Sequence, residues 1–164
     1  MDEQQVRGWL QSAYKIAELS NDPRTKNGAI LVWSDGENLL SGWNHRLPSS
    51  DDAPEAKYVY TEHAERDVIY KAIRLGFPST RGATLVCPWA ACPECARAII
   101  LAGIGMVYVH KQALDRTPER WREQVTLGLE LLEHNEIRVI PYDGKVFPKD
   151  DPFEALFDGQ KWRP

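Results

Sequence analysis

HAE at residues 63–65 and CPEC at residues 92–95 stand at the starts of two predicted helices. Imidazole and thiolate groups are ligands that Zn²⁺ takes in tetrahedral sites. His63, Cys92 and Cys95 supply three such ligands, a number typical of a catalytic zinc ion whose fourth position holds water. A structural zinc site normally has four protein ligands. The two motifs therefore predict one catalytic Zn²⁺ per chain.

The spacing within each motif suits this arrangement. Cys92 and Cys95 are three positions apart and share a helix face, in a first turn where the helix dipole lowers thiol pKa values. His63 and Glu65 are two positions apart, which in a helix interior would separate them. Side chains in a first turn, however, lean towards the helix N-terminus. We therefore expect His63 to reach a metal beyond that end while Glu65 reaches the metal's water.

Hydrophobic periodicity and turn residues predict the order α-β-β-α-β-α-β-α-β. The predicted helices begin near residues 2, 61, 92 and 117, and the predicted strands cover residues 28–33, 38–43, 83–87, 106–109 and 137–140. Thr61 is expected to cap the second helix, whose buried stripe would be Val68, Ile69, Ala72 and Ile73. Residues 45–62 are predicted to form an active-site loop, and the tail at 142–164 a short helix over the core. The pattern predicts one sheet covered on both faces, in a single domain spanning residues 1–164.

Composition excludes several classes of function. Hydrophobic residues make up 43% and charged residues 27% of the 164 residues, as in ordinary globular domains. The net charge of -4 argues against a large basic footprint for duplex nucleic acid. No run of about 18 apolar residues predicts a membrane span, and the acidic N-terminus is unlike a signal peptide. The three cysteines include one closely spaced pair, which favours a metal or redox site in a reducing, cytoplasmic setting.

The two motifs resemble the signature of the zinc-dependent cytidine/deoxycytidylate deaminase family, H-x-E followed by P-C-x-x-C. The resemblance extends over most of the chain and includes residues 22–30, 41–44, 96–100, 103–108 and 131–137. It implies a three-layer α/β/α sandwich with a five-stranded mixed sheet. It also implies hydrolytic deamination of a cytosine nucleotide, with dCMP to dUMP plus ammonia as the best match, and a homo-oligomer. In that mechanism Glu65 is the proton shuttle, taking a proton from the water and passing it to the base and then to the leaving amino group.

Two positions and one loop depart from the family pattern. Ala91 stands where a proline usually precedes the first cysteine, and Asp67 stands where an asparagine often follows the glutamate. The loop after Asn44 lacks the glycines expected around Pro48. The metal ligands are unaffected, so these departures bear on nucleotide specificity and on any regulation by triphosphates.

Candidate substrate contacts come from several segments. Asn44 is the residue that we first expect to hydrogen-bond the base or the sugar. The backbone carbonyl of Trp89 or Ala90 is placed to accept from the amino group that leaves. The candidates for stacking on the base are Tyr58, Tyr60 and Trp89, and those for meeting a phosphate are Arg24, Lys26 and Arg46.

Other interpretations remain open from the sequence. The enzyme could deaminate another nucleobase or nucleoside, or a tRNA adenosine, although a pI near 5.6 does not favour a tRNA-binding face. The chain could also be a non-catalytic zinc-binding module, against which Glu65 argues because only chemistry requires that carboxylate. The Cys92/Cys95 pair by itself would fit a structural metal knuckle or a redox pair. Cys87 is interpreted as a buried strand residue, and His110 as structural.

Overall fold

The computed structural model describes residues 2–37, 39–48 and 56–164. Its helices are α1 (Glu3–Ile16), α2 (Ala56–Tyr60), α3 (Ala64–Arg74), α4 (Pro93–Leu101), α5 (Lys111–Leu114) and α6 (Glu119–His134). Its strands are β1 (Gly28–Val32), β2 (Leu39–Trp43), β3 (His45–Arg46), β4 (Thr61–Glu62), β5 (Thr84–Val86), β6 (Met106–His110), β7 (Arg138–Tyr142), β8 (Ala155–Phe157) and β9 (Gln160–Trp162). Among the described residues, no helix is long and apolar enough to cross a membrane.

Five strands form one mixed sheet in the order β2-β1-β5-β6-β7. β1 runs antiparallel to both β2 and β5, whereas β5, β6 and β7 are parallel to one another. All five residues of β1 are buried, as expected of a continuous apolar strand inside a sheet that is covered on both faces. The predicted five-stranded mixed sheet is confirmed.

Helices cover the two faces of this sheet. On one face α3, α4 and α6 bury Val68, Ile99 and Leu132 in a large core cluster. On the other face α1 and the C-terminal segment bury Leu10 and Phe147 in a second cluster. Both clusters are apolar, and their burial is the main favourable contribution to folding. The layers therefore form the predicted α/β/α sandwich.

The start of α3 differs from the prediction. His63, not Thr61, is the N-cap residue of α3, and Thr61 instead pairs with Arg46 in the two-residue β3–β4 ribbon. The Thr61 hydroxyl donates to the backbone carbonyl of Lys57, so it satisfies a carbonyl group of α2 and does not cap α3. The predicted burial of Ile73 is also wrong, since it is 71% exposed at the edge of the buried face of α3.

The loop and the tail contain strands that periodicity did not predict. The segment at 45–62 holds β3, α2 and β4, and its residues 49–55 lie outside the described ones. The predicted tail helix is wrong, because β8 and β9 form a hairpin there. Asp158 and Gly159 both have positive φ at its turn, which is the backbone of a two-residue type I′ turn. The Asp-Gly pair is the sequence signal of such a hairpin.

Candidate active site

Two helix N-termini meet beside the carboxyl end of β5. His63 is the N-cap residue of α3 and Cys92 is the N-cap residue of α4, and both have extended backbone. Pro93 occupies the first turn of α4, where its missing N–H costs no intrahelical hydrogen bond. Helix α4 follows β5 through a short loop, so the sheet places its start next to that of α3. Ligands of α/β proteins typically bind at such an edge of the sheet.

The donor set of the site fits a tetrahedral zinc ion. The Nδ1 atom of His63 lies 3.7 Å from the sulfur of Cys92 and 3.4 Å from the sulfur of Cys95. Zn–N and Zn–S bonds of ordinary length at a tetrahedral angle would separate such atoms by about 3.6 Å. All three ligand atoms lie within 4.8 Å of one another. The structure thus brings together the three predicted ligands, with spacing that suits zinc.

The pKa values of the two cysteine thiols shift in opposite directions. A hydrogen bond from the Cys95 thiol, helped by a further bond from His63, lowers the pKa of Cys92 to about 3. The same bond to Cys92, together with burial, raises the pKa of Cys95 well above its ordinary value. Cys92 is therefore a thiolate at neutral pH. A thiolate is the form in which cysteine binds a metal.

Glu65 lies beside these ligands in the first turn of α3. It is only 3% exposed, and it lines the same cleft as His63 and Cys92. Burial raises the pKa of its carboxyl group, although the positive charge of His63 opposes the rise. A buried carboxylate with a raised pKa both accepts and returns protons more readily near neutral pH than an exposed one does.

A cleft of about 520 Å³ opens above these groups. That volume suits a ligand of nucleotide size. The cleft is lined by Asp22, Arg24, Thr25, Asn27, Asn44, Lys57, Tyr58, Thr61, His63, Ala64, Glu65, Trp89, Ala90, Cys92, Arg120, Trp121 and Asp158.

Most of the predicted substrate contacts line this cleft, namely Asn44, Trp89, Ala90 and Tyr58. Arg46 is not among the described lining residues; it lies in the β3–β4 ribbon, and its backbone N–H donates to Asn21. Lys26 is likewise outside that lining, and its ammonium group donates to the backbone carbonyl of Glu18. Of the three cations predicted to meet a phosphate, Arg24 is the one in the lining.

Aromatic rings form one wall of the cleft. The indole N–H of Trp89 donates to the hydroxyl of Thr117 at 2.9 Å, which fixes the orientation of the ring. Trp89 also meets Phe157 edge-to-face at 4.9 Å and Trp121 at 6.4 Å between ring centroids. Trp121 in turn contacts Tyr58 at 5.7 Å. Nothing local in the sequence indicated that Trp121 lines a site.

Cationic side chains gather at the more exposed end of the cleft. The Asp158 carboxylate binds both Arg24, at 3.1 Å, and Arg120. Lys57 pairs with the carboxylate of Asp22 at 2.9 Å. Lys57, Arg120 and Asp158 were missed by the sequence reasoning, since their segments are far apart along the chain. The Asp-Gly turn that carries Asp158 was the one local signal.

Comparisons with known proteins agree with this geometry. The cytidine and deoxycytidylate deaminase zinc-binding region matches residues 3–111. An uncharacterized deaminase in the luxG 3′ region of Aliivibrio fischeri is 31% identical over 84% of this chain and 97% of its own length. A "probable deoxycytidylate deaminase" of Drosophila melanogaster is 30% identical over 90% of this chain and 81% of its own.

Solved structures show the same relationship. The dCMP deaminase of cyanophage S-TIM5, crystallised with dCMP and dUMP, is 25% identical with a TM-score of 0.69. The similarity covers 86% of this chain and 98% of the phage chain. The family match includes both motifs that line the cleft, and its zinc-binding region accounts for the cluster of one histidine and two cysteines. This chain therefore belongs to the cytidine and deoxycytidylate deaminase family of zinc-dependent enzymes.

Proposed function

We propose that this protein hydrolyses dCMP to dUMP and ammonia, with zinc bound by His63, Cys92 and Cys95 and with Glu65 as the proton shuttle. The observation that carries the proposal is the position of Glu65, a buried carboxylate in the same cleft as the ligand cluster. The relatives described as deoxycytidylate deaminases support the choice of substrate.

Bound zinc would lower the pKa of a water molecule towards about 7, which supplies the nucleophile. Glu65 accepts a proton from that water as its oxygen adds to C4 of the cytosine ring. It delivers this proton to N3, the neighbouring ring nitrogen. A second proton from the same oxygen then passes through Glu65 to the amino group, the C4–N bond breaks, and ammonia leaves. The products are dUMP and ammonia, and no redox cofactor is required.

The base would lie between the buried end of the cleft and the aromatic wall. The carbonyl of Ala90, next to the cysteine motif, is suited to accept from the amino group before it leaves. Asn44 retains a second N–H and a second lone pair for the substrate besides its bonds to the protein. Trp89 is held in place by Thr117 and offers an aromatic surface to the base.

The phosphate would meet the cations at the exposed end. Arg24 and Arg120 each have guanidinium N–H groups besides those that donate to Asp158. Arginine is well suited to phosphate because its planar fork matches two phosphate oxygens. Because Asp158 and Asp22 already neutralise part of the cationic charge, the site favours one phosphate over three.

The test is ammonia release by purified, zinc-loaded protein from a panel of cytosine, cytidine, dCMP, dCTP, adenosine and guanine. We expect dCMP to be turned over fastest and Glu65→Gln to lower kcat by at least about 10²-fold. Turnover of another member, lost in the same variant, would keep the deamination chemistry and reject dCMP. Unchanged activity in Glu65→Gln would reject the role of Glu65. If the zinc-loaded protein releases no ammonia from any member of the panel, a polynucleotide substrate or a non-catalytic zinc-binding module is indicated instead.

A further inference from the structure

Arg66 joins the two ligand motifs through a pair of carboxylates. Its Nε atom donates to Glu62 at 2.5 Å, and its NH1 atom donates to Glu94 at 2.6 Å. Glu62 directly precedes His63, and Glu94 lies between Cys92 and Cys95. One guanidinium group therefore contacts the segments on both sides of the metal site.

The Glu62 end of this arrangement also reaches the ligand itself. The Glu62 oxygen that binds Arg66 also accepts the backbone N–H of His63 at 2.8 Å. Glu62 thereby orients the N-cap residue of α3, whose own side chain makes no capping bond. The position of the His63 imidazole thus depends on the carboxylate that Arg66 holds.

Burial distinguishes the Arg66–Glu62 half of this bridge from an ordinary surface ion pair. The side chain of Arg66 is 13% exposed and that of Glu62 is 19% exposed. Burial alone would lower the pKa of Arg66, but the nearby cysteine sulfurs and the hydrogen bond and negative charge of Glu62 raise it above its ordinary value. The guanidinium therefore stays charged beside a site that contains two sulfur ligands and Glu65.

We propose that Arg66 is a positioning residue that bridges Glu62 and Glu94 and so holds the His63 and cysteine segments in the spacing that zinc requires. This bridge is called the Glu62–Arg66–Glu94 clamp. It rests on the ligand set of the proposed function but not on the identity of the substrate. Groups that orient metal ligands typically change metal affinity by about 10–100-fold when they are removed.

The experiment measures zinc itself. Apo-protein is titrated with Zn²⁺ in competition with a chromogenic chelator, and zinc release is followed after excess chelator is added to the holo-protein. We expect Arg66→Gln to weaken zinc binding about 10–100-fold, mainly through faster release. Arg66→Lys retains the charge but loses the planar fork, so we expect it to recover only part of the affinity.

Glu94→Gln distinguishes weaker zinc binding from a general loss of folding. The side chain of Glu94 is 66% exposed, so its replacement should leave the fold intact. It should also release zinc faster while the apo-protein keeps the unfolding temperature of the wild type. Two matched controls are available. Arg97→Gln removes an exposed arginine that lies 4.0 Å from Glu94, and Glu119→Gln removes a first-turn carboxylate from α6. Both should stay within about twofold of the wild type.

The outcomes separate the possible failures. Wild-type zinc binding in both Arg66→Gln and Glu94→Gln would overturn the clamp. Full recovery in Arg66→Lys would overturn the bridging geometry and leave only a requirement for charge. A wild-type chain that binds no zinc would overturn the ligand set and the clamp together. Zinc bound tightly without any turnover of dCMP would reject the proposed substrate and leave the clamp standing.

Discussion

The side-chain oxygen of Asn44 accepts the backbone N–H of Asn27 at 2.7 Å. The amide group of Asn44 donates to the carbonyl of Thr25 at 2.8 Å, so one side chain ties the end of β2 to the segment before β1. Asn27 in turn donates to the sulfur of Cys87 at 3.2 Å, beyond the end of β5. Three segments at one edge of the sheet are thus fixed together beside the cleft, and Asn44 supports the site as well as facing it.

Asn44→Ala should therefore lower both stability and activity. Asn44 is 7% exposed, so its loss leaves the Asn27 N–H and the Thr25 carbonyl without their partner. We expect the free energy of unfolding to fall by about 1–3 kcal/mol, measured by urea unfolding. Asn135→Ala, at an exposed site on the end of α6, should cost no more than about 0.5 kcal/mol. Equal small effects at both sites would contradict the structural role of Asn44.

Gly128→Ala should displace the backbone that carries the metal ligand Cys92 and so weaken zinc binding. A methyl group on this α6 residue would lie 2.0 Å from the backbone oxygen of Ala91 and 3.0 Å from the carbonyl carbon of Cys92. The backbone that presents Cys92 must then move. We expect a loss of about 1–3 kcal/mol in stability and a reduced zinc content, measured by urea unfolding and by metal analysis.

The control for this change is a second helical glycine. Apart from its chain neighbours and the backbone of its own helix, no atom of the described residues lies within 4 Å of the place where a methyl group on Gly8 would be. Gly8→Ala in α1 should therefore stabilise the protein by about 0.5–1 kcal/mol, the ordinary gain for alanine in a helix. Gly128→Ala variants that gain stability in the same way would show that α6 can move away from Ala91.

Arg120→Gln should separate recognition of the phosphate from that of the base. A charge-assisted hydrogen bond is worth about 1.5–3 kcal/mol, so we expect KM for dCMP to rise about 10–100-fold. Turnover of deoxycytidine, which has no phosphate, should stay unchanged in steady-state assays. Arg122→Gln, an exposed arginine of α6 paired with Glu119, is the matched control. Equal losses on both substrates would place the role of Arg120 in the fold.

Because of His110, we expect the free energy of unfolding to decrease in mild acid. It is fully buried, with Nδ1 bonded to the hydroxyl of Tyr14 at 2.7 Å and Nε2 bonded to the carbonyl of Gly144 at 2.9 Å. Burial lowers its pKa below the ordinary value, and the nearby cations Lys145 and Arg116 contribute. The neutral ring is thus favoured in the folded protein.

Because the pKa of His110 is lower in the folded protein than in the unfolded chain, the folding stability falls as the pH falls. The stability contributed by neutral His110 is fully present above about pH 6.5, the value in the unfolded chain, and is lost as the pH falls through the lower folded pKa. We expect the loss to have a slope of at most about 1.4 kcal/mol per pH unit, measured by urea unfolding between about pH 8 and 5. His110→Gln should flatten this dependence, whereas His134→Gln at an exposed site should leave it intact. A dependence that survives in His110→Gln must come from other groups.

Much of the site was predictable because its chemistry is local. The ligand candidates and Glu65 lie in two short motifs, and helix geometry alone indicates that each motif presents its groups at an N-terminus. The five-stranded sheet was predictable for a similar reason, since buried strands read as short apolar runs between turn residues. The exposure of Ile73 could not be predicted as reliably. One step along a helix is enough to move a side chain from the buried face to the solvent-exposed face.

The sequence by itself thus determined the metal-binding residue types, their spacing and the order of helices and strands. Only the tertiary structure decided what surrounds them. Arg24, Lys57, Arg120 and Asp158 come from four separated segments, and they meet because the sheet order and the β8–β9 hairpin bring these segments to one cleft. The pairing of Arg66 with Glu94 likewise depends on α3 and α4 starting side by side. Contacts of this kind are set by packing, for which a single sequence carries no local signal.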